Sequence, residues 1–230
     1  MKIYSDGSSL SEIENLINEL NIDGFTTNPS LMKKLGVKDY VGYCKEFISL
    51  INGRPVSFEV FANDLDEMKR QAKIINNWGT NVYIKVPITN TLGESCLPLV
   101  KDLQESGIKV NITAVFTKDQ IDDIFDTLVD EIPSIVSIFA GRIADTGVSP
   151  ITNVKYAVQR FRNNDKVEVL WASCREIYNI HQAEKSGCHI ITIQNSLLKK
   201  MNLKGKDLNQ FSIETVKMFR EDAVQSGYKL

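Results

Sequence analysis

The chain has 230 residues, of which 43% are apolar, 24% charged and 8% aromatic. Those proportions exclude long disorder, collagen-like repeats and coiled coil. With 27 Lys+Arg against 29 Asp+Glu the formal net charge is −2, so no basic field exists to attract nucleic acid, and a phosphorylated ligand would need a local cationic pocket. The start, MKIYSDGSSL, lacks the apolar run of a signal peptide, and no stretch approaches about 18 apolar residues. A cytoplasmic protein with no membrane span is expected. Cys44, Cys96, Cys174 and Cys188 form no CxxC pair, and His181 and His189 are the only histidines. Neither GxGxxG nor GxxxxGK[ST] occurs. No disulfide, metal or nucleotide cofactor is therefore expected.

Short β-rich runs alternate with helical patterns along the whole chain. Residues 2–6, 23–28, 56–61 and 82–88 read as strands, followed by 109–116, 134–141, 167–173 and 189–194. Their starts are about 27 residues apart, near the ~30 per unit of an eight-fold barrel. Between the first two, Ser8 or Ser9 caps a helix with Ile13, Leu16, Ile17 and Leu20 on one face. Asp64 and Thr117 open further helices, and Gly36, Gly79, Gly107 and Gly187 fall where helices should stop. Alternating units imply a parallel sheet, closed or open. Eight strands without a glycine-rich first turn favour closure. The expected fold is a single α/β domain over 1–230, an eight-stranded (β/α)8 TIM barrel with a C-terminal helical arm from about 203. In that arm Phe211, Ile213, Val216 and Phe219 mark an apolar stripe. It packs either on its own barrel or on a neighbouring subunit.

A buried parallel strand should be nearly all apolar. Here Glu59 stands between Phe58 and Val60, and Lys85 between Ile84 and Val86. Asn111 and Thr113 alternate with Val110, Ile112 and Ala114, and Ser137 shares a parity with Phe139. Period two sends each polar set to one face, which in a barrel is the lumen. An unpaired buried charge costs several kcal/mol. Glu59 and Lys85 lie on successive strands, so an ion pair that only satisfies the lumen is one reading. The other is chemical. A desolvated lysine can supply a neutral amine, which attacks a carbonyl to form a Schiff base. The polar residues gather at the C-terminal strand ends, where barrels of this kind place their chemistry.

The segments DGFTTNPSL (23–31), YIKVPIT (83–89), NITAVFT (111–117), SIFAGRIAD (137–145) and WASCRE (171–176) resemble the transaldolase family, in particular its small fructose-6-phosphate aldolase-like branch. The matches lie in order and span nearly the whole chain. The resemblance implies an eight-stranded barrel and roles for individual residues. Lys85 matches the Schiff-base lysine, and Asp6 the carboxylate that moves the proton of the cleaved hydroxyl. Glu59 and Thr113 match the pair that holds a proton-relaying water. Asn28 and Asn111 match amides that bind substrate hydroxyls or the imine region, although Asn28 before Pro29 also suits a turn. Arg142, Ser173 and Arg175 match a phosphate clamp, for which the planar guanidinium fork is suited. Against that, Arg142 could pair with Asp145, and Arg175 with a nearby acid. Ser137 is expected in the active-site wall, with Thr26 a weaker candidate. Cys174 departs from the Phe that larger members carry there, a change expected to be tolerated.

The implied reaction needs no cofactor. A dihydroxyacetone unit passes from sedoheptulose 7-phosphate to glyceraldehyde 3-phosphate, giving erythrose 4-phosphate and fructose 6-phosphate, as in the pentose phosphate pathway. The alternative within the branch is a fructose-6-phosphate aldolase that releases free dihydroxyacetone. An alternative of another class is a non-catalytic sugar-phosphate-binding barrel. The resemblance places Phe139, Glu59 and Arg175 where transaldolases carry the same residues and the aldolases carry Tyr, Gln and Lys. It also implies a homo-oligomer, a pentamer or decamer, with the C-terminal helix reaching a neighbour.

Overall fold

The period-two segments become eight parallel strands in a computed structural model that describes residues 1–229. They are Lys2–Asp6 (β1), Gly24–Thr26 (β2), Val56–Glu59 (β3), Val82–Pro87 (β4), Val110–Val115 (β5), Ser134–Ile138 (β6), Val167–Trp171 (β7) and Ile190–Gln194 (β8). Each pairs with its neighbours in sequence, and β8 pairs with β1, so the sheet closes. The expected barrel is the observed one. Strand positions agree with the sequence reading, but most strands end earlier. The largest overrun is at β6, because Ala140 and Gly141 already belong to a helix.

The intervening helices are Ile13–Asn18 (α1), Pro29–Lys34 (α2), Tyr40–Leu50 (α3), Leu65–Asn76 (α4), Leu97–Glu105 (α5), Lys118–Thr127 (α6), Ala140–Asp145 (α7), Ile151–Arg160 (α8), Tyr178–Lys185 (α9) and Asn195–Leu198 (α10). Their starts follow capping chemistry. Asp64 accepts the Glu67 N–H at 2.9 Å, and Thr117 accepts that of Gln120 at 3.2 Å. Ser9 donates from its amide and its hydroxyl to Glu12, as a short 3-10 turn leads into α1.

The apolar parity of each strand faces the helices. Val56, Phe58, Val82, Ile84, Val86, Val110 and Ile112 are all buried there. The opposite parity fills the lumen in two layers. The lower layer is apolar, with Tyr4, Ile135, Leu170 and Ile190 packed together and Tyr83 against them. Gly24 is required in this layer, because a Cβ there would stand 2.5 Å from Tyr4 Cζ. The upper layer, at the C-terminal strand ends, carries the polar residues. Burying chains of this kind at ~25 cal/mol per Å² of apolar area is the main stabilising term of such a fold.

Two compact units divide the chain, Met1–Leu198 and the segment from Lys199. In the second, a 3-10 stretch (Lys199–Leu203) precedes a 19-residue helix, Leu208–Ser226 (α11), capped by Asp207 and ended by Gly227 in the left-handed region. Phe211, Ile213, Val216 and Phe219 are all exposed on it. Among the described residues, no helix is long and apolar enough to cross a membrane.

Candidate active site

A cavity of about 480 Å³ opens at the C-terminal ends of the strands, within the range of small-molecule sites. Lys85 forms part of its floor. The strand register places Glu59 directly beside it on β3 and Asn111 beside it on β5. Lys85 is buried; its Nζ lies 3.3 Å from Glu59 Oε2 and donates to the Thr27 carbonyl at 3.0 Å. Asp6, from β1, lines the same cavity and accepts from the Thr26 hydroxyl at 2.8 Å. Burial pushes the Asp6 carboxyl above the usual carboxylate range. Lys85 and the Thr26 hydrogen bond pull it back, and Glu59 raises it further. Thr113 sits on β5 where the register slips between Ile112 and Val115, with Ala114 at φ +58°. Among the described residues the buried Thr113 Oγ1 has no hydrogen-bond partner, and Thr113 lines a polar cavity.

The cationic side comes from the ends of β6 and β7. Arg142 lies on α7, directly after Gly141, and Ser173 and Arg175 follow β7. Gly141 is obligatory, since a Cβ there would meet the Ser173 carbonyl oxygen at 1.6 Å. This close approach fixes Arg142 and Ser173 on neighbouring backbone, with Ser173 at φ +63°. Asn179 holds the following loop by accepting from the Arg175 and Glu176 amides at 2.8 and 3.2 Å. Arg175 Nη2 reaches Asp145 Oδ2 at 2.5 Å. Asp145 therefore pairs with Arg175 and not with Arg142, for which the described residues show no ion pair.

Residues 3–229 match the model of a family described as transaldolase/fructose-6-phosphate aldolase. The chain belongs to that family. Relatives include a probable transaldolase 2 of Listeria monocytogenes, 36% identical over 87% of this chain and 88% of its own. A probable transaldolase of Thermoanaerobacter is 33% identical over the full length of both chains. Among solved structures, 3-hexulose-6-phosphate synthase from Salmonella typhimurium superposes with a TM-score of 0.59 at 12% identity, covering 86% of this chain and 91% of that one. At that identity the likeness is one of fold.

The barrel gathers the family-matched residues. Asp6, Asn28, Glu59, Lys85, Thr113, Ser137, Phe139, Arg142, Ser173 and Arg175 all line the cavity. Asn111 does not. It is fully buried just below, donating to Ser57 Oγ at 2.9 Å and accepting from Ser137 Oγ at 2.7 Å, so both ends of its amide are occupied. Asn28 caps α2 by accepting the Leu31 N–H at 3.0 Å, which leaves its amide donors for the cavity. Cys174 is buried with Sγ 3.5 Å from Asn179 Oδ1, and burial pushes its thiol up to about 11, so it stays protonated. Ser30, Lys34, Thr192 and Gln194 also line the cavity and were not singled out in the sequence. Thr192 and Gln194 share one parity of β8, so the rule that exposes Asn111 and Thr113 applies to them equally. Ser30 and Lys34 carry no such signal, because a six-residue helix lends them to the cavity only through the closed fold.

Proposed function

We propose that the protein is a cofactor-free transaldolase of the small branch, acting on sugar phosphates in the cytoplasmic pentose phosphate pathway. The observation that carries this reading is the placement of Lys85 Nζ between Glu59 and the Thr27 carbonyl, in a cavity shared with Asp6 and rimmed by Arg142 and Arg175. Glu59 is the carboxylate within reach of the Lys85 ammonium and takes its proton. The free amine attacks the ketose C2, and loss of water gives the imine. Asp6 then accepts the proton of the C4 hydroxyl as the C3–C4 bond breaks. An aldose phosphate leaves as its aldehyde, and the electron pair of the broken C3–C4 bond is delocalised into the protonated imine on Lys85. Addition to a second aldose phosphate reverses these steps, with Asp6 returning the proton. Glu59 and the unpartnered Thr113 hydroxyl suit a water that enters and leaves with the imine. Arg142, Ser173 and Arg175 bind the phosphate, which tethers the reacting carbon at a fixed distance.

Borohydride reduction in the presence of fructose 6-phosphate, followed by mass analysis, tests the reading. A three-carbon adduct on Lys85 is expected. Its absence from active protein would sink the Schiff-base mechanism. The same preparation, assayed with and without an aldose phosphate acceptor, separates transfer from release of free dihydroxyacetone.

A further inference from the structure

Thr26 carries a single hydroxyl proton, and two groups compete for that hydroxyl. Its Oγ1 lies 2.8 Å from Asp6 Oδ1 and 2.5 Å from Thr192 Oγ1. The register explains the meeting. Asp6 pairs with Thr26 on β2, while Thr192 on β8 pairs with Tyr4, one lumen position below Asp6 on β1. The two threonine hydroxyls therefore touch inside the lumen, beneath the carboxylate. A carboxylate can only accept, so the Thr26 proton goes to Asp6 and the Thr192 proton must go to Thr26. Thr192 is buried, and among the described residues its hydroxyl bonds only to Thr26.

We propose that Thr192 is a positioning residue. By donating to Thr26 it commits the Thr26 proton to Asp6 Oδ1 and leaves Oδ2 to exchange a proton with substrate. The proposal rests on the transaldolase reading for the role of Asp6, but the hydrogen-bond chain stands on its geometry. In a chain of this kind each donor polarises the next. Without Thr192, the Thr26 hydroxyl is free to rotate and accept from a protonated Asp6, which favours the acid over the carboxylate. The charged groups acting on Asp6 are Lys85 from β4 and Glu59 from β3, and Arg142, Arg175 and Lys34 line the same cavity. β2 and β8 contribute only the neutral Thr26, Thr192 and Gln194.

The test is the titration of Asp6, followed by carboxyl carbon NMR in protein labelled at Asp and assigned with Asp6→Asn. Thr192→Val should move the midpoint upward, and Thr192→Ser should restore it. In a Thr26→Val background, Thr192→Val should add nothing, because its route to Asp6 is gone. The low-pH limb of kcat for sugar-phosphate transfer should move the same way, with KM little changed. If Thr192→Val does not fold, Thr192→Ala makes the same measurement. Identical Asp6 titrations in the parent protein and the variant would overturn the proposal, as would an equal shift with and without Thr26. The NMR titration needs no turnover, so a failure of the transaldolase reading would show separately, as absent transfer with the Asp6 result intact.

Discussion

Lys85 Nζ stands 3.3 Å from Glu59 Oε2, on two strands whose register sets their Cα positions side by side. The pair meets the condition for keeping a charge in a barrel lumen, because each partner offsets the desolvation of the other. Both residues also line the polar cavity at the C-terminal strand ends, where a purely structural pair would have no need of solvent access. Lys85→Met should keep the fold, since an unbranched apolar chain replaces the ammonium and Glu59 retains contact with the cavity. Transfer activity should fall by several orders of magnitude as the covalent route is lost. Circular dichroism together with a coupled assay checks both parts, and near-normal turnover by the folded variant would identify a different nucleophile.

Asp6 illustrates a stability cost held at a working site. Its folded pKa lies above the unfolded value, chiefly through burial. The sign follows by linkage. Such a group disfavours the folded state once the pH exceeds its unfolded pKa, and the penalty is complete above its folded pKa. Asp6→Asn keeps an acceptor for Thr26 and removes the charge. We expect its melting temperature to exceed that of the parent at neutral pH, with the difference closing below the ordinary Asp range, while transfer is largely lost. Thermal melts across pH check this; a variant less stable than the parent at neutral pH would contradict the sign.

Much of this arrangement was legible in the sequence, because a barrel lumen is read by parity. Glu59, Lys85, Thr113 and Ser137 interrupt apolar strands on the face that points inward, and closure brings them together with Asp6, which only the family resemblance marked. The limits are equally specific. Ala140 and Gly141 continue the apolar run of β6, yet the Gly141 N–H bonds to the Ala172 carbonyl and the chain turns into α7. That turn depends on β7, some thirty residues away. Asn111 has the right parity and lies beside Lys85, but its amide is engaged by Ser57 and Ser137 and it does not line the cavity. The choice of Arg175 over Arg142 as partner of Asp145 is likewise tertiary.

That choice has a kinetic consequence. Arg175 and Asp145 are each about half exposed, so their pair contributes roughly 0–1 kcal/mol. If Arg175 binds phosphate as proposed, a dianion competes with Asp145 for the same guanidinium. Asp145→Asn should lower the KM for fructose 6-phosphate by up to about fivefold at low salt, the factor that range allows, and less at high salt. A raised KM would show that Asp145 aims Arg175 and does not compete for it.

The helix α11 carries Phe211, Val216 and Phe219 at exposures of 41%, 63% and 62%. Three large exposed apolar chains on one helix are of the kind that marks an interface. A second copy of this chain is the occupant we expect, in a pentamer or decamer. Light scattering at micromolar concentration should give a multiple of the 25.9 kDa chain mass. Phe219→Asp with Val216→Asp should reduce that mass while the barrel's circular dichroism is kept. A monomeric parent protein would reject the assembly.

On the proposed reading, Phe139 is the residue expected to decide between transfer and release. It lines the cavity, packs on Phe116 with ring centroids 5.8 Å apart, and lies against the apolar cluster that contains Leu170 and Ala172. After carbon–carbon cleavage the three-carbon unit on Lys85 is a carbanion equivalent, and any donor on that wall can protonate it. Phe offers none and excludes the water that a phenol would hold. The unit therefore survives until an aldehyde arrives. Transfer between sugar phosphates should greatly exceed acceptor-free cleavage in the parent protein. Phe139→Tyr places a hydroxyl at the ring edge, and the share of free dihydroxyacetone should rise while the Lys85 adduct still forms. Both reactions are measured on one preparation of each protein. Dominant acceptor-free cleavage of fructose 6-phosphate by the parent would make it an aldolase. An unchanged ratio in the variant would move the control of protonation to another residue of the wall.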